Sequence, residues 1–386
     1  MSKKRLPPLS LYIHIPWCIK KCPYCDFNSH TSHNVIPEKA YIDNLLKDLD
    51  QDLEYAQGRS IKSVFIGGGT PSLFSPSGYS FLLEAINKKI DIDNSAEITI
   101  EANPGATEQQ HYSGYLNAGI NRLSIGAQSF SNQKLKSLGR IHSSSEIIKA
   151  MESATKAGFK QINLDLMFGL PEQTLEQALE DLDIAIKLSP QHLSWYQLTL
   201  EPNTAFYSSP PKLTTDDIVF EIQKKGLEIL SGNGFKRYEI SAYSKSNCQS
   251  RHNVNYWLFG DYIGIGAGAH GKITRINPLN ATEISVNRYW KTRVPDDYLN
   301  TNKPFIAGSK IIPDAELALE FMMNALRLSS GFNPAIFEKR TGKPISTISK
   351  QLGLAQSKGF IHVSDDNIKA SALGYGYLND LLQIFL

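Results

Sequence analysis

Three of the four cysteines in the chain, Cys18, Cys22 and Cys25, stand within eight residues in the stretch CIKKCPYC. Disulfide bonds cannot account for them, because three cysteines cannot all pair and the fourth, Cys248, is more than 200 residues away. Structural zinc usually takes four ligands from two short pairs, and this sequence has no second pair. A 4Fe-4S cube held by three thiolates leaves one iron that S-adenosylmethionine (SAM) can chelate. The spacing favours such a cluster, with zinc or inert thiols as alternatives.

Glycines and a carboxylate follow at the ends of two later β-rich stretches. In FIGGGTPS, Gly68, Gly69 and Thr70 come directly after an apolar run, and glycine lets a ligand approach the backbone closely. Glu101 lies in the stretch ITIEANPG, where its carboxylate could hold an ammonium group through charge-assisted hydrogen bonds. The alternatives at these two places are a tight turn and an exposed acid at a strand end.

The elements that must position these residues alternate regularly. Runs rich in β-forming residues stand at 9–16, 61–67, 97–103, 122–129, 161–169 and 192–200, with helical periodicity at about 38–56, 77–90, 107–119, 144–158, 174–189 and 216–231. Six strand–helix units in succession predict a parallel sheet covered by helices. Because six units are too few for the usual eight-stranded closure, we expect an α/β fold with a partial (β/α)6 barrel. Candidate ligand residues follow the strands, at the end of a parallel sheet where ligands bind.

This alternation stops near residue 235. We therefore expect a core domain at 1–235, a connecting segment at 236–312 and a C-terminal domain at 313–386. The connecting segment is predicted to hold irregular strands and loops over 236–275 and a helix near 287–299. A helix at about 313–328 and a hairpin within 359–371 predict a smaller α+β domain with a winged-helix-like tail. Its basic residues form no concentrated stripe, so a packing or lid role is favoured over DNA binding.

Composition limits the class of protein. The 386 residues carry 40 Lys and Arg against 38 Asp and Glu, a balance that argues against general binding of nucleic acid or anionic membranes. No apolar run approaches the roughly 20 residues that span a bilayer. The basic start of the chain is followed by a short apolar run that Pro16 interrupts, unlike a signal peptide. Few, clustered cysteines suit a reducing compartment, so we expect a cytoplasmic protein without a transmembrane segment.

Several longer motifs occur in a characteristic order. CIKKCPYC after LYIHIPW, followed by GGGTP, EANPG, GAQSF, LGRIH and NLDLMFGLP, resembles the radical SAM branch that contains the oxygen-independent coproporphyrinogen III oxidases. The resemblance covers nearly the whole chain and is closest to their relatives, the haem chaperones of the HemW family. It implies a radical SAM core domain, a HemN-type C-terminal domain and a 4Fe-4S cluster bound by Cys18, Cys22 and Cys25. Electron transfer from such a cluster would cleave SAM to a 5′-deoxyadenosyl radical.

The resemblance also implies a set of SAM contacts. Glu101 would hold the SAM ammonium group, Arg140 could bind a carboxylate and Asp165 could bind ribose hydroxyls. Taken one at a time, such residues are more often core, capping or surface groups than ligands. The implied contacts are Tyr12, Tyr24, Gly68, Gly69, Thr70, Glu101, Gln128, Arg140 and Asp165.

Phe27 helps to distinguish the two branches. The oxidases carry a further cysteine two residues after the last cluster ligand, and this chain has Phe27 there. Phenylalanine is neither a ligand nor a thiol, which puts any oxidase chemistry that needs this sulfur in doubt. The chain also starts close to the motif, without the longer segment that precedes it in the oxidases. Both departures favour the chaperone branch.

A second signature, HNVNYW, matches the HNxxYW motif of the chaperones. Imidazole and thiolate are both axial ligands of haem iron, so His252 and the nearby Cys248 are the candidate haem ligands. A hydrogen-bonded structural histidine in a loop is the alternative. Tyr256 and Trp257 could stack on a porphyrin or pack a domain junction. His270, near a SAM contact of the oxidases, is the next candidate.

These observations and the resemblance together predict a haem chaperone that binds haem, a 4Fe-4S cluster and SAM and transfers haem to acceptor proteins. The implied partners are haem, acceptors such as respiratory enzymes, and an electron donor for the cluster. One alternative is an oxygen-independent coproporphyrinogen III oxidase, a radical SAM oxidative decarboxylase. A third is a zinc-stabilised scaffold for nucleic acid.

Overall fold

The computed structural model describes residues 6–32, 35–276 and 284–386; the basic start of the chain, Lys3, Lys4 and Arg5, lies outside these ranges. Within them, the strands are β1 Leu9–Ile15, β2 Trp17–Cys18, β3 His30–Thr31, β4 Ile61–Gly68, β5 Ile92–Ala102, β6 Arg122–Gln128, β7 Gln161–Phe168, β8 His192–Gln197, β9 Lys236–Arg237, β10 Ala242–Ser244, β11 Asp261–Ile265, β12 His270–Ile276, β13 Ile284–Lys291, β14 Ile306–Ile311, β15 Ile361–Val363 and β16 Ile368–Ala370. The α-helices are α1 Glu38–Asp52, α2 Pro76–Lys89, α3 Ala106–Asn117, α4 Asn132–Ser137, α5 Ser144–Ala157, α6 Leu175–Lys187, α7 Ala205–Ser208, α8 Asp216–Gly232, α9 Arg251–Trp257, α10 Pro295–Leu299, α11 Leu317–Ala325, α12 Pro334–Thr341, α13 Ser349–Ser357, α14 Ala372–Gly376 and α15 Leu378–Gln383. Three 3-10 segments lie at Leu53–Ala56, Pro71–Leu73 and Ile345–Ile348.

The predicted parallel sheet is confirmed. Strands β1, β4, β5, β6, β7 and β8 run parallel, each paired with the next, and at least one helix connects each pair. In β1, LSLYIHI, every residue except Tyr12 is buried. Such nearly continuous apolar strands are typical of a parallel sheet covered on its face and filled within.

The sheet extends beyond the six predicted strands. On the far side of β1 it continues with parallel β11 and then antiparallel β12, β13 and β14. On the far side of β8 it continues with β10 and β9. The order is linear, from β14 at one edge to β9 at the other, so the described strands form an open, partial barrel.

The helix expected near 287–299 is wrong for most of its length. Ile284–Lys291 is strand β13, and only Pro295–Leu299 is helical. Apolar residues spaced three and four apart, such as Val286, Tyr289 and Trp290, suggest a helix. Pairing with β12 and β14 on both sides decides the outcome, because it satisfies the backbone groups of the whole segment.

The segment with the HNxxYW motif is also more regular than expected. It forms helix α9 rather than a loop, and Ser250 caps it by accepting a hydrogen bond from the Asn253 N–H. Similar caps start the helices that cover the barrel: Ser143 with Glu146 forms a capping box on α5, and Thr174 with its partner at the third position does so on α6.

Two main apolar clusters fill the molecule. The larger lies between the parallel sheet and its helices. The smaller is built by α11 to α15 with the hairpin β15–β16, and it reaches the connecting segment through Phe259, whose ring meets Phe321 at 5.8 Å. No helix in the described ranges is long and apolar enough to cross a membrane.

Candidate functional site

One cavity at the carboxyl ends of the parallel strands gathers the cysteines and most of the predicted SAM contacts. We call it the cysteine cavity. Each of the six parallel strands, or the loop that follows it, contributes at least one lining residue. The predicted residues that line it are Cys18, Cys22, Tyr24, Cys25, Gly68, Gly69, Thr70, Glu101, Gln128, Arg140 and Asp165.

The three cysteines lie around this cavity as free thiols. Cys18 is fixed in β2, while Cys22 and Cys25 lie in a turn closed by a 3.1 Å hydrogen bond from the Cys25 N–H to the Cys22 carbonyl. Burial raises the pKa of the Cys18 and Cys25 thiols. Across the described ranges, no three His, Cys, Asp or Glu side chains converge on a point that a single ion would occupy. A four-iron cube binds each thiolate to a different iron, so sulfurs spread around one cavity suit it.

The glycines at the end of β4 are required by their neighbours. Gly68 has a φ of +117°, and a Cβ atom there would lie 2.6 Å from the His14 ring. A Cβ atom on Gly69 would lie 2.5 Å from the Trp17 carbonyl oxygen. The run therefore brings strand and cysteine loop into direct contact, which no larger residue would permit.

Glu101 is a shielded carboxyl group in the wall of the cavity. Its Oε2 accepts a hydrogen bond from the Gly68 N–H at 3.1 Å. Burial, together with the nearby Asp165, raises its pKa to about 8. No Lys, Arg or His of the described chain forms an ion pair with it. A ligand ammonium group would relieve this unfavourable environment, because it would favour the ionised carboxylate.

Asp165 and Gln128 are held in place by hydrogen bonds. The Asp165 carboxylate accepts from Asn163 Nδ2 at 2.8 Å and from Ser124 Oγ at 3.1 Å. Gln128 accepts from the Tyr196 hydroxyl at 3.0 Å, and its φ of +69° places it in the left-handed region, beside an irregularity in the β6–β7 pairing. Such a strained backbone position is often found at functional sites.

A second cavity, of about 830 Å³, adjoins the first. We call it the aromatic cavity. The two share Phe27, Gly68 and Glu101 in their linings. Of the predicted SAM contacts, Tyr12 lies here rather than in the cysteine cavity. The aromatic and imidazole side chains that line it are Tyr12, His14, Phe27, Phe65, His252, Tyr256, Trp257, Tyr262, His270 and Trp290.

His252 is fixed within the wall of the aromatic cavity. Its Nδ1 lies 3.2 Å from Ser63 Oγ, and its ring centroid lies 5.2 Å from that of Phe65. The backbone N–H of His252 and the Ser250 hydroxyl both donate to Glu97, which ties α9 to β5. Burial lowers the pKa of His252 to about 4, so its imidazole is neutral at physiological pH.

Cys248 does not join His252. Its Sγ lies 3.6 Å from Nε2 of Gln161, the first residue of β7, at the end of the barrel opposite Cys18, Cys22 and Cys25. His270 does line the aromatic cavity, and its ring centroid lies 6.5 Å from that of Trp290. Closeness in sequence was therefore misleading for the cysteine.

Several residues at the site were not predicted from the sequence. The Tyr12 hydroxyl donates a hydrogen bond to His14 Nδ1 at 2.9 Å, and His14 Nε2 lies 2.8 Å from the Asn28 carbonyl oxygen. Asn28 in turn donates to the carbonyls of Ala267 and Arg293, which anchors the cysteine loop to the extension of the sheet. Asn103 lies within the motif EANPG, but nothing in the sequence indicates which residues it hydrogen-bonds.

Comparison with known proteins agrees with these features. The family description "Radical SAM superfamily" matches residues 12–185, and "HemN C-terminal domain" matches residues 312–375. The "Heme chaperone HemW" of Haemophilus influenzae is 48% identical over 99% of both chains, and that of Escherichia coli is 47% identical over 99% of both chains.

A solved structure gives the same architecture. Coproporphyrinogen III oxidase (HemN) from Escherichia coli, described as a radical SAM enzyme, matches with a TM-score of 0.82 and covers 100% of this chain and 91% of its own. Its sequence identity is 20%, so this likeness concerns the fold alone. Because the chain is 48% and 47% identical to the two chaperones over almost their full length, it is closer in sequence to them than to this oxidase. The chain belongs to the HemW family of haem chaperones, within the radical SAM superfamily.

Proposed function

We propose that the protein holds a 4Fe-4S cluster and SAM in the cysteine cavity, carries haem in the aromatic cavity and passes that haem to acceptor proteins. Cys18, Cys22 and Cys25 would each bind one iron. The fourth iron would remain for the amino and carboxylate groups of SAM. When bound and reduced, the cluster supplies an electron that can cleave the SAM sulfonium.

The residues around the cysteines suit SAM in charge and shape. Glu101 offers a shielded carboxylate for the ammonium group of SAM, and Gly68 and Gly69 leave the backbone at the end of β4 without side chains. Asp165, whose carboxylate is oriented by Asn163 and Ser124, would accept ribose hydroxyls. Together these groups would hold and orient SAM without any change in the sheet.

The aromatic cavity next to the cysteine cavity is the observation that carries the haem proposal. Its volume of about 830 Å³ lies within the range of roughly 300–1,000 Å³ typical of cofactor sites. Among the described residues no group hydrogen-bonds Nε2 of His252, so this nitrogen of a neutral imidazole is the one left for iron. Arg293 also lines the cavity and could pair with a haem propionate.

Two observations support the proposed transfer to an acceptor: the relatives are described as haem chaperones, and the site is an open cavity. A haem held by an imidazole inside an open aromatic cavity can leave again, unlike one enclosed in a core. Partners of the proposed class are haem-acceptor proteins such as respiratory enzymes. The acceptor proteins and the electron donor are both part of the proposed function.

The test is haem binding by spectroscopy. Haem is titrated into the wild type, His252→Ala and Cys248→Ala, and the Soret band is followed. We expect His252→Ala to weaken binding at least tenfold and to move the Soret band, because it removes the axial imidazole. Cys248→Ala is the matched control and should leave both unchanged, since that sulfur lies at the other end of the barrel.

The same preparation separates the chaperone from the oxidase. Given SAM, a reductant and coproporphyrinogen III, the wild type should yield no protoporphyrinogen IX. Abundant product would replace the chaperone proposal with the oxidase. Identical haem spectra in all three proteins would place the haem ligand elsewhere, with His270 as the next residue to replace.

A further inference from the structure

Hydrogen bonds connect two of the cluster cysteines through Asn103. Arg140 Nη1 lies 3.6 Å from Cys22 Sγ, and its Nη2 lies 2.7 Å from Asn103 Oδ1. Asn103 Nδ2 lies 3.2 Å from Thr70 Oγ1, which lies 3.5 Å from Cys18 Sγ. The five residues come from four segments, which follow β1, β4, β5 and β6, so the barrel itself holds these contacts together.

The donors and acceptors of the side chains fix the direction of each hydrogen bond in the series from Cys22 to Cys18. The Arg140 guanidinium has donors only, so the Asn103 atom that faces it must be the oxygen. The Asn103 amide nitrogen then faces Thr70 and donates to its hydroxyl oxygen. The Thr70 proton is thereby left to point at Cys18. Each end of the chain donates to a cysteine sulfur, and Asn103 sets the orientation of both.

We propose that Asn103 is a positioning residue for the cluster, which directs Arg140 and Thr70 to donate hydrogen bonds to two cluster thiolates and so raises the reduction potential of the cluster. The inference rests on the cluster of the proposed function. Hydrogen bonds to cluster sulfurs favour the reduced, more negative state, and such bonds are among the factors that set the potential. The bond from charged Arg140 should contribute most.

The third sulfur has a separate contact. Cys25 Sγ lies 3.7 Å from Ser29 Oγ, within the same loop, and Asn103 takes no part in it. Replacing Asn103 should therefore affect the environment of Cys18 and Cys22 while leaving that of Cys25 as it is. Because the contact of Cys25 is unaffected, we expect a partial shift in the reduction potential rather than loss of the cluster.

The test is a potentiometric titration of the reconstituted cluster without SAM, followed by the paramagnetic resonance of its reduced form. SAM is omitted because Arg140 and Thr70 also belong to the proposed SAM site. In Asn103→Leu, at the potential where the wild type is half reduced, we expect the ratio of reduced to oxidised cluster to fall about tenfold, a shift of about 59 mV for a one-electron couple.

Asn121→Leu is the matched control. Its amide also makes two hydrogen bonds, to Ile98 N–H and the Ala96 carbonyl, but at the opposite end of the barrel. This variant should keep the wild-type potential. If Asn103→Leu binds a full complement of cluster and keeps the wild-type reduction potential, the inference is overturned. It is also overturned if Asn121→Leu shifts the potential equally, because the shift would then come from lost stability.

A second pair decides the matter if Asn103→Leu takes up no cluster. Thr70→Val removes the hydroxyl that faces Cys18, whereas Thr99→Val removes a buried hydroxyl that has no hydrogen-bond partner in the described structure. The inference predicts a more negative potential in the first variant only, and equal potentials would contradict it. If the wild type itself holds no iron and sulfide, the proposed function fails instead.

Discussion

At the scale of one residue, Glu101 is the buried carboxyl group that would hold a cationic ligand in the proposed function. Burial raises the pKa of its carboxyl to about 8 from an ordinary value of 4.5. A raised carboxyl pKa means that the folded protein binds this proton more tightly than the unfolded chain does. The group therefore costs no stability below about pH 4.5, and the cost grows as the pH rises through about 8.

The first prediction at this scale concerns Glu101→Gln. Glutamine resembles the protonated carboxyl group, so the ligand-free variant should be more stable than the wild type at pH 8.5, by on the order of a few kcal/mol. The difference should shrink towards pH 5. Urea unfolding at the two pH values measures it. A difference that does not depend on pH would show that the carboxyl titrates normally.

Single residues also mark the limit of what the sequence could reveal. The cysteine spacing and the resemblance named the residues that line the cysteine cavity. Tyr12 was placed with them, but it lies in the aromatic cavity with its hydroxyl on His14. The roles of Asn28 and Asn103 depend on partners far along the chain, which no local pattern encodes.

Among the elements, α9 carries the candidate haem ligand and is held by its cap. Ser250 accepts from the Asn253 N–H at 3.3 Å and donates to Glu97 at 3.2 Å. Ser250→Ala should lower the free energy of unfolding by about 1 kcal/mol. It should also weaken haem binding several-fold, because the helix that bears His252 loses one of its two hydrogen bonds to Glu97 of β5.

Ser371→Ala is the control for this prediction. Ser371 caps α14 in the C-terminal unit by accepting from the Gly374 N–H at 3.0 Å, and it also donates to a carbonyl group. It should cost similar stability and leave haem binding unchanged. Equal haem affinities in the two variants, measured by titration, would mean that α9 does not position the ligand.

Elements with a strong periodic pattern were predictable, whereas those defined by distant partners were not. The six parallel strands follow from apolar runs between capped amphipathic helices, and they are confirmed. Strand β13 was predicted as a helix, because only its neighbours β12 and β14 make it a strand. Helix α9 was predicted as a loop, because its seven residues are too short for periodicity to indicate a helix.

At the scale of the whole molecule, a buried ion cluster joins the extension of the sheet to the barrel. Lys291 Nζ of β13 lies 2.5 Å from Asp48 and 2.8 Å from Asp52, both on α1, and all three side chains are fully buried. Asp48 also accepts from the Tyr298 hydroxyl at 2.7 Å. The wall of the aromatic cavity that β13 provides is thus fixed to the first helix of the barrel.

Lys291→Met should therefore destabilise the protein strongly. It leaves two buried carboxylates without their cation, a loss of about 3–5 kcal/mol. Burial already raises the pKa of Asp52 to about 6, so protonation should reduce the deficit at low pH. Lys187→Met, in an exposed pair with Asp183, should cost less than about 1 kcal/mol. Chemical unfolding at pH 5 and pH 8 measures both, and a small, pH-independent loss in Lys291→Met would contradict the account.

The central claim is that haem held in the aromatic cavity is passed on to an acceptor. The most direct measurement mixes the haem-loaded, cluster-loaded protein with a haem-depleted b-type cytochrome and follows the return of the cytochrome spectrum. The account predicts transfer from the wild type that is faster than from an equal amount of free haem, and transfer from His252→Ala no faster than from free haem. Haem that stays on the wild type, or equal rates for the wild type, the variant and free haem, would contradict it.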